Sequence, residues 1–487
     1  MLRAPRLALL MLVVAGCGTA PVASEPQVFV TMVAGDNQSA SVSTALQPFK
    51  ILVKDEMGVP VAGRRVRWNP ILGGGNITPG EGVTNALGEA TAVLTLGANA
   101  GTNSARATVT QGTPEIVFSA TATSAVVNRT PVLVASVGVP ATYGHHDTFV
   151  RDGLAFVCAW NAGVYIYDVG NGVRGGTPNN PELVSRLITS ANGVAGGAQV
   201  HNAWWFHNPV TNQKKYLFIG QEGPGTVGVA SSGDIHIVDV SNLAAPVEVG
   251  FIHVPGAGTH NFWMDEARQI LYAAYYNGGV IAVDVSGTLT GDMSSRIVAQ
   301  VQPGGSNNTY IWGVMLAGGR LYATDMLSGL WVLDPLTLAT LGGGNNVPTQ
   351  YVSDLWITGT TAYTGGWGNR GVRGNSIRIW DVGGPTPAPI LEIPIPNATT
   401  VSDVAVTPGS VALVATVEGG AGAGLYVYSL ADPRAPVLRG SIVVAEGLHT
   451  GEIAVINGRT YVFTAKNPGG TNTPELRIYD ITGTIAP

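Results

Sequence analysis

Two patterns of apolar and polar positions divide the chain. From Val28 to about Ser124, short apolar or β-branched runs are separated by turn signals: "VFVTMV", "FKILVKD", "RRVRWN", "GVTNA", "EATAVLTL", "SARATVT" and "EIVFSATAT". Runs of this kind, bounded by Gly, Pro, Asn and Asp, predict strands. From Pro131 onward one kind of strand recurs: "GVYIYDV", "GDIHIVDV", "GVIAVDV", "GLWVLDP", "SIRIWDV", "GLYVYSL" and "ELRIYDI". Their next-to-last residues are Asp168, Asp239, Asp284, Asp334, Asp381, Ser429 and Asp480, spaced 45 to 51 residues apart after a first interval of 71. Gly- and Asn-rich insertions at 170–180 and 190–198 lengthen that first interval.

Each repeat holds four predicted strands, which we letter a to d. The third reads "HNFWM", "QILYAAYY", "GVIAVDV" and "SRIVAQV". Four strands in about 50 residues, seven times over, predict a seven-bladed β-propeller. The a to b connections are tight, whereas long insertions such as "GQEGPGTVGVASSG" and "GGWGNRGVRGN" lie between b and c. The last repeat stops after its c strand, and a d-type strand, "PVLVASV" at 131–137, precedes the first repeat. Paired with the end of the chain, it would close the ring and cover two strand edges. Upstream, about seven strands in residues 27–125 match the strand count of an immunoglobulin-like sandwich. The predicted fold class is therefore all-β: a sandwich at 27–125, then a propeller at 131–487 closed by its N-terminal outer strand.

Polar residues gather where the a strands begin. The first repeat has His145, His146 and Asp147, the second His201 and Asn202, and the third His260 and Asn261. The fourth departs with Tyr310, Ile311 and Trp312; the fifth and sixth have Ser353, Asp354 and Ser402, Asp403, and the seventh His449 and Glu452. In a propeller the a strands line the central channel, so these groups should meet at one mouth, on the face that carries the b to c loops. Imidazole and carboxylate suit a divalent transition metal or a polar ligand. The architectural alternative is that each group bonds turns of its own or a neighbouring blade. On the loops, Glu222, Trp367, Asn369, Arg370, Arg373 and Lys466 are candidate contacts for a partner.

Composition narrows the class. Only 11% of the 487 residues are charged and 66 are Gly, as suits turn-rich β structure. With 25 basic against 31 acidic residues and no basic run beyond "RRVR" at 64–67, no surface for nucleic acid is expected. The chain has no serine elbow, CxxC or P-loop pattern, and the adjacent histidines of "GHHD" at 144–147 do not form a zincin pair. Arg3 and Arg6, the apolar stretch Leu7–Val14 and the run "VAGC" ending at Cys17 read as a targeting segment, 1–16, too short to span a bilayer. Residues 17–26 then read as a tether. The one other cysteine, Cys158, lies in "LAFVCAW" and is expected to be a small buried hydrophobe.

Three resemblances follow from these residues. "VAGC" resembles a bacterial lipobox, which implies cleavage before Cys17, acylation of its sulfur and anchoring in the cell envelope. Gly18 after the cysteine leans towards the outer membrane or cell surface. "DEMGVPVAGRRVRW" with "TNALGEATAVLTLGANAGTN" resembles bacterial immunoglobulin-like domains of the invasin type, with Trp68 as core anchor. "IHIVD" at 235–239 and its six counterparts resemble the LVIVD-repeat family, which implies a propeller on a secreted or surface protein without a single known activity. Together they imply a lipid-anchored, non-catalytic binding module for a protein, glycan or small polar ligand. The alternatives are an enzyme or metal-binding protein using the His/Asp ring, and a purely structural surface protein.

Overall fold

The computed structural model describes residues 26–123, 129–139, 144–190, 199–226, 230–231, 233–305, 309–368, 371–466 and 473–486. Cys17, Asn369 and Arg370 lie outside the described residues. The chain divides into two compact units, Met1–Val126 and Val127–Pro487.

In the first unit two five-stranded sheets enclose one core. One sheet runs in the order Asn76–Thr78, Glu89–Thr95, Phe49–Lys54, Val28–Ala34, Gly112–Thr113, and the other Gln38–Ser41, Ile116–Thr123, Gly101–Val109, Arg65–Leu72, Glu81–Val83. Alternation places Phe49, Ile51 and Val53 inward, and Phe49 stacks on Phe118 at 4.4 Å. Trp68 is buried beside them, 6.0 Å from Phe118. Three strands escape the sequence pattern: Gln38–Ser41 and Gly112–Thr113 are short and polar, and Asn76–Thr78 turns only Ile77 inward, so that pairing rather than a long apolar rhythm defines them.

The second unit repeats one antiparallel order, a-b-c-d, seven times. The a strands are Asp147–Arg151, Val200–Asn208, Phe262–Asp265, Ile311–Ala317, Tyr351–Thr358, Ala398–Val406 and Gly451–Ile456. Each lies against the next, and the last lies against the first. The fifth and sixth repeats are also joined by one pair, Gly366 with Val401. Strands b and c are mostly buried, Leu154–Cys158 and Val164–Asp168 at every position, because both of their faces pack on neighbouring repeats. The outer strands, such as Glu182–Leu187, are largely exposed. The core is accordingly spread over the seams between adjacent repeats: Phe156 meets Trp205 between the first and second, and Phe463 packs with Val157 between the seventh and first. Cys158 is a free thiol in this apolar packing.

Strand Val132–Gly138 pairs antiparallel with Glu475–Asp480, Val132 opposite Asp480 and Gly138 opposite Glu475. Just before it, the Arg129 guanidinium donates to the Ala486 carbonyl at 2.9 Å. The recurring aspartates at the ends of the c strands cap turns. Asp239, Asp284, Asp381 and Asp480 each accept the backbone N–H two residues on, and Asp334 accepts from Leu336 and Thr337. The Ser429 hydroxyl takes the same place towards Ala431.

Candidate metal centre

The polar residues before the a strands divide by what they bond. Where the position holds a hydroxyl, it ties repeats together: Ser353 donates to the Val401 carbonyl, Ser402 to that of Leu448, and Thr450 to that of His146. Thr259 does the same towards Gln221. His145 is also architectural, its Nδ1 at 3.1 Å from the Glu475 carbonyl and its Nε2 at 2.7 Å from the Thr148 hydroxyl. His201 and His260 do neither. Both are buried, and among the described residues neither ring nitrogen of either makes a hydrogen bond of good geometry, although the Asn202 side chain approaches His201 and the Trp312 backbone and Asn261 side chain approach His260.

These two rings belong to a closed circuit of aromatic side chains at the mouth. His449 lies 4.4 Å from His146, His146 4.9 Å from His201, and His201 3.9 Å from His260. The circuit continues through Trp312 at 4.0 Å and Trp367 at 5.2 Å, and returns to His449 at 6.2 Å. Glu222 enters it from the second repeat, its Oε1 3.7 Å from Nε2 of both His201 and His260. The donor atoms form two triads sharing His201: His146, His201 and His449, and His201, Glu222 and His260, each with its atoms within 4.8 Å of one another. A separation of 3.7 Å is too long for a hydrogen bond. It suits two ligands of one ion, since bonds of about 2.0–2.1 Å place tetrahedral ligands roughly 3.3 Å apart and opposed ligands roughly 4.2 Å apart.

Surrounding groups prepare the donors. Burial, reinforced by the neighbouring imidazoles, holds His146, His201 and His260 well below the usual histidine range, so they are neutral with free lone pairs at pH 7. Burial also lowers His449, but Glu418, joined by Glu222 and Asp403, outweighs it and moves this ring upward. His449 Nδ1 is 3.0 Å from Glu418 Oε2, the carboxylate–imidazole pairing that orients metal-ligating histidines. Burial raises Glu222 to about 7 against the opposing hydrogen bond from the Tyr276 hydroxyl.

Below this circuit the channel forms a cavity of about 200 Å³ lined by Asp147, Asn202, Asn261, Asp354, Asp403 and Glu452. Asp354 accepts from Asn261 at 2.7 Å, and Asp403 from the Gly451 N–H. Burial and the nearby Asp403 raise Asp354 well above the carboxylate range and Asp147 to about 6. Burial and Asp147 raise Glu452 to about 8. The carboxyl belt is thus a separate layer beneath the imidazoles. Of the residues the sequence singles out, His146, His201, His260 and His449 meet, His145 turns away, and Asp147, Asp354, Asp403 and Glu452 lie one layer down.

The loop-face expectations need two corrections. Glu222 and Lys466 are both buried, not offered to solvent. Glu222 joins the imidazoles, and Lys466 is held between Glu446 and Glu475. Trp367 is partly buried in the aromatic circuit, and Arg373 is exposed. The regularity missed in the sequence is the residue just beyond the core of the b strand in the first six repeats: Trp160, Glu222, Tyr276, Met326, Trp367 and Glu418. Aligning the repeats on strand b brings these positions into register. Trp160 and Tyr276 hold positive φ, 41° and 38°, rare for bulky side chains. Their rings lie 4.4 Å from His146 and 5.1 Å from His260 respectively.

Solved structures share the architecture of the second unit. The WD40 β-propeller domain of Doa1 aligns with a TM-score of 0.50 at 10% identity, covering 72% of this chain and 96% of that one. A chain of the mitotic checkpoint complex aligns with a TM-score of 0.51 at 14% identity, covering 73% and 96%. The chain contains a β-propeller-like fold. No protein-family model matches the sequence, and no curated protein matches it. At these identities the likeness concerns the fold alone.

Proposed function

We propose that the chain is a lipid-anchored protein of the bacterial envelope whose propeller, seven-bladed and built of LVIVD-type repeats, holds a divalent transition-metal ion at one mouth of its channel. Cys17 carries the lipid, and an immunoglobulin-like sandwich stands between it and the propeller. The observation that carries the metal reading is the gap shared by His201, His260 and Glu222. Two buried, unprotonated imidazoles without a hydrogen bond of good geometry face one carboxyl oxygen at 3.7 Å. Buried polar atoms left without partners are costly and uncommon. An imidazole-rich set with one carboxylate favours zinc, copper, nickel or iron over calcium or magnesium.

Elemental analysis of the purified full chain, after exposure to each of these ions and desalting, tests the reading. Retention close to one ion per chain or more is expected. His201→Ala, which removes the donor common to both triads, should abolish retention, and Glu222→Gln should weaken it by about tenfold or more. Metal-free wild-type protein, or undiminished binding by His201→Ala, would refute it.

A second reading, recognition of a protein or glycan by the loop-bearing face, draws on the propeller scaffold and on the exposed Val372 and Arg373. It is compatible with a metal beneath that face.

A further inference from the structure

A pocket of about 360 Å³ opens beside the metal centre. Its walls are Tyr276, Tyr310, Trp312, Met326, Tyr351 and Trp367, five aromatic rings and a thioether contributed by the third, fourth and fifth repeats. Leu327, 42% exposed, stands at its rim. Two of the walls are shared with the centre. Trp312 lies 4.0 Å from the His260 ring, and the Tyr276 hydroxyl donates to Glu222. The rings pack against one another, with Tyr276 4.8 Å from Tyr310 and Trp312 5.2 Å from Trp367, so the space they leave is already shaped. A volume of this order holds a molecule of one or two rings and is too small for a folded segment of a partner.

We propose that this pocket binds a small planar aromatic molecule bearing an oxygen donor, its ring against the Trp312–Trp367 wall and its oxygen directed to the ion at His201, Glu222 and His260. The proposal rests on the metal reading above and names the ligand class of that site. Aromatic walls favour a flat π-system through offset and edge-to-face contacts. Charge selects among flat ligands: a divalent ion at the shared wall repels an organic ammonium and attracts a phenolate or carboxylate.

The test uses catechol as the probe, titrated by calorimetry into the full chain loaded with zinc, with metal content measured on the same sample. Saturable binding is expected, with cyclohexane-1,2-diol, which offers similar oxygens without a π-face, at least about tenfold weaker. Trp367→Ala and, independently, Tyr351→Ala should weaken catechol by about tenfold while zinc content stays at the wild-type value. A chain that retains no zinc overturns the metal reading and this proposal with it. Zinc-replete protein that does not bind catechol overturns the proposal alone, as does equal affinity for the cyclohexanediol or undiminished binding by both variants.

Discussion

His145 and His201 occupy similar places before neighbouring a strands, yet one is a fastener and the other carries free donors. The difference lies in their partners: the Glu475 carbonyl and Thr148 hydroxyl take up both nitrogens of His145, while His201 faces other rings and Glu222. The same dependence on surroundings sets protonation one layer down. Glu452 is held at about 8 by burial and by Asp147, against a free glutamate near 4.3. Folded protein therefore keeps a proton that the unfolded chain releases, and stability falls as pH rises from about 4.3 towards 8. Glu452→Gln removes this titration, so its melting temperature should rise relative to wild type at pH 8 and not at pH 4. Parallel melting profiles for the two proteins between those limits would contradict the assignment. Much of this site was legible in the sequence, because repetition brought the histidines into register. Glu222 was seen only as a loop residue, since its role depends on the end of strand b turning into the mouth, which apolar periodicity does not record.

Elements repeat the lesson with different material. The b and c strands were legible because burial on both faces demands continuous apolar runs, whereas Gln38–Ser41 and Gly112–Thr113 were not, since a short polar strand is defined by the neighbour it pairs with. The aspartates ending the c strands recur because each must catch the amides of the turn that follows. Asp168 does this for the insertion at 170–180. Its Oδ1 accepts from Gly170, Asn171 and Gly172, and its Oδ2 from Arg174. Burial works to raise its pKa, but these amides outweigh it and hold Asp168 at about 2. A carboxylate depressed below its unfolded value near 3.9 contributes stability that is present above that pH and lost as pH falls towards 2. Asp168→Ala should cost about 2 kcal/mol at pH 7, by loss of its charge-assisted bonds to the amides of the turn. Denaturant unfolding at pH 7 and pH 2.5 checks this, because the deficit should shrink at the lower pH. A deficit equal at both values would place the cost in packing rather than in charge.

At the scale of the whole molecule, closure joins residues far apart in sequence. The outer strand of the last repeat is the first strand of the second unit, and six of its residues pair with Glu475–Asp480. Val134, Ala135 and Val137 also pack on the core shared by the seventh and first repeats. Without this strand, Glu475–Asp480 becomes an open edge whose N–H and C=O groups invite pairing with another chain. The first unit has a core of its own, built entirely from residues 28–122, so its loss leaves these contacts intact. Two truncations separate the contributions. A fragment of residues 127–487 should remain monomeric and melt in one transition at the temperature of the corresponding transition in the full chain. A fragment of residues 139–487 should melt at least about 10 °C lower or associate, as read by light scattering after gel filtration, because it lacks a packed strand and not just a tail. If the shorter fragment stays monomeric with an unchanged melting temperature, the seam between the two ends of the ring contributes nothing to its stability, and the seventh repeat stands on three strands alone.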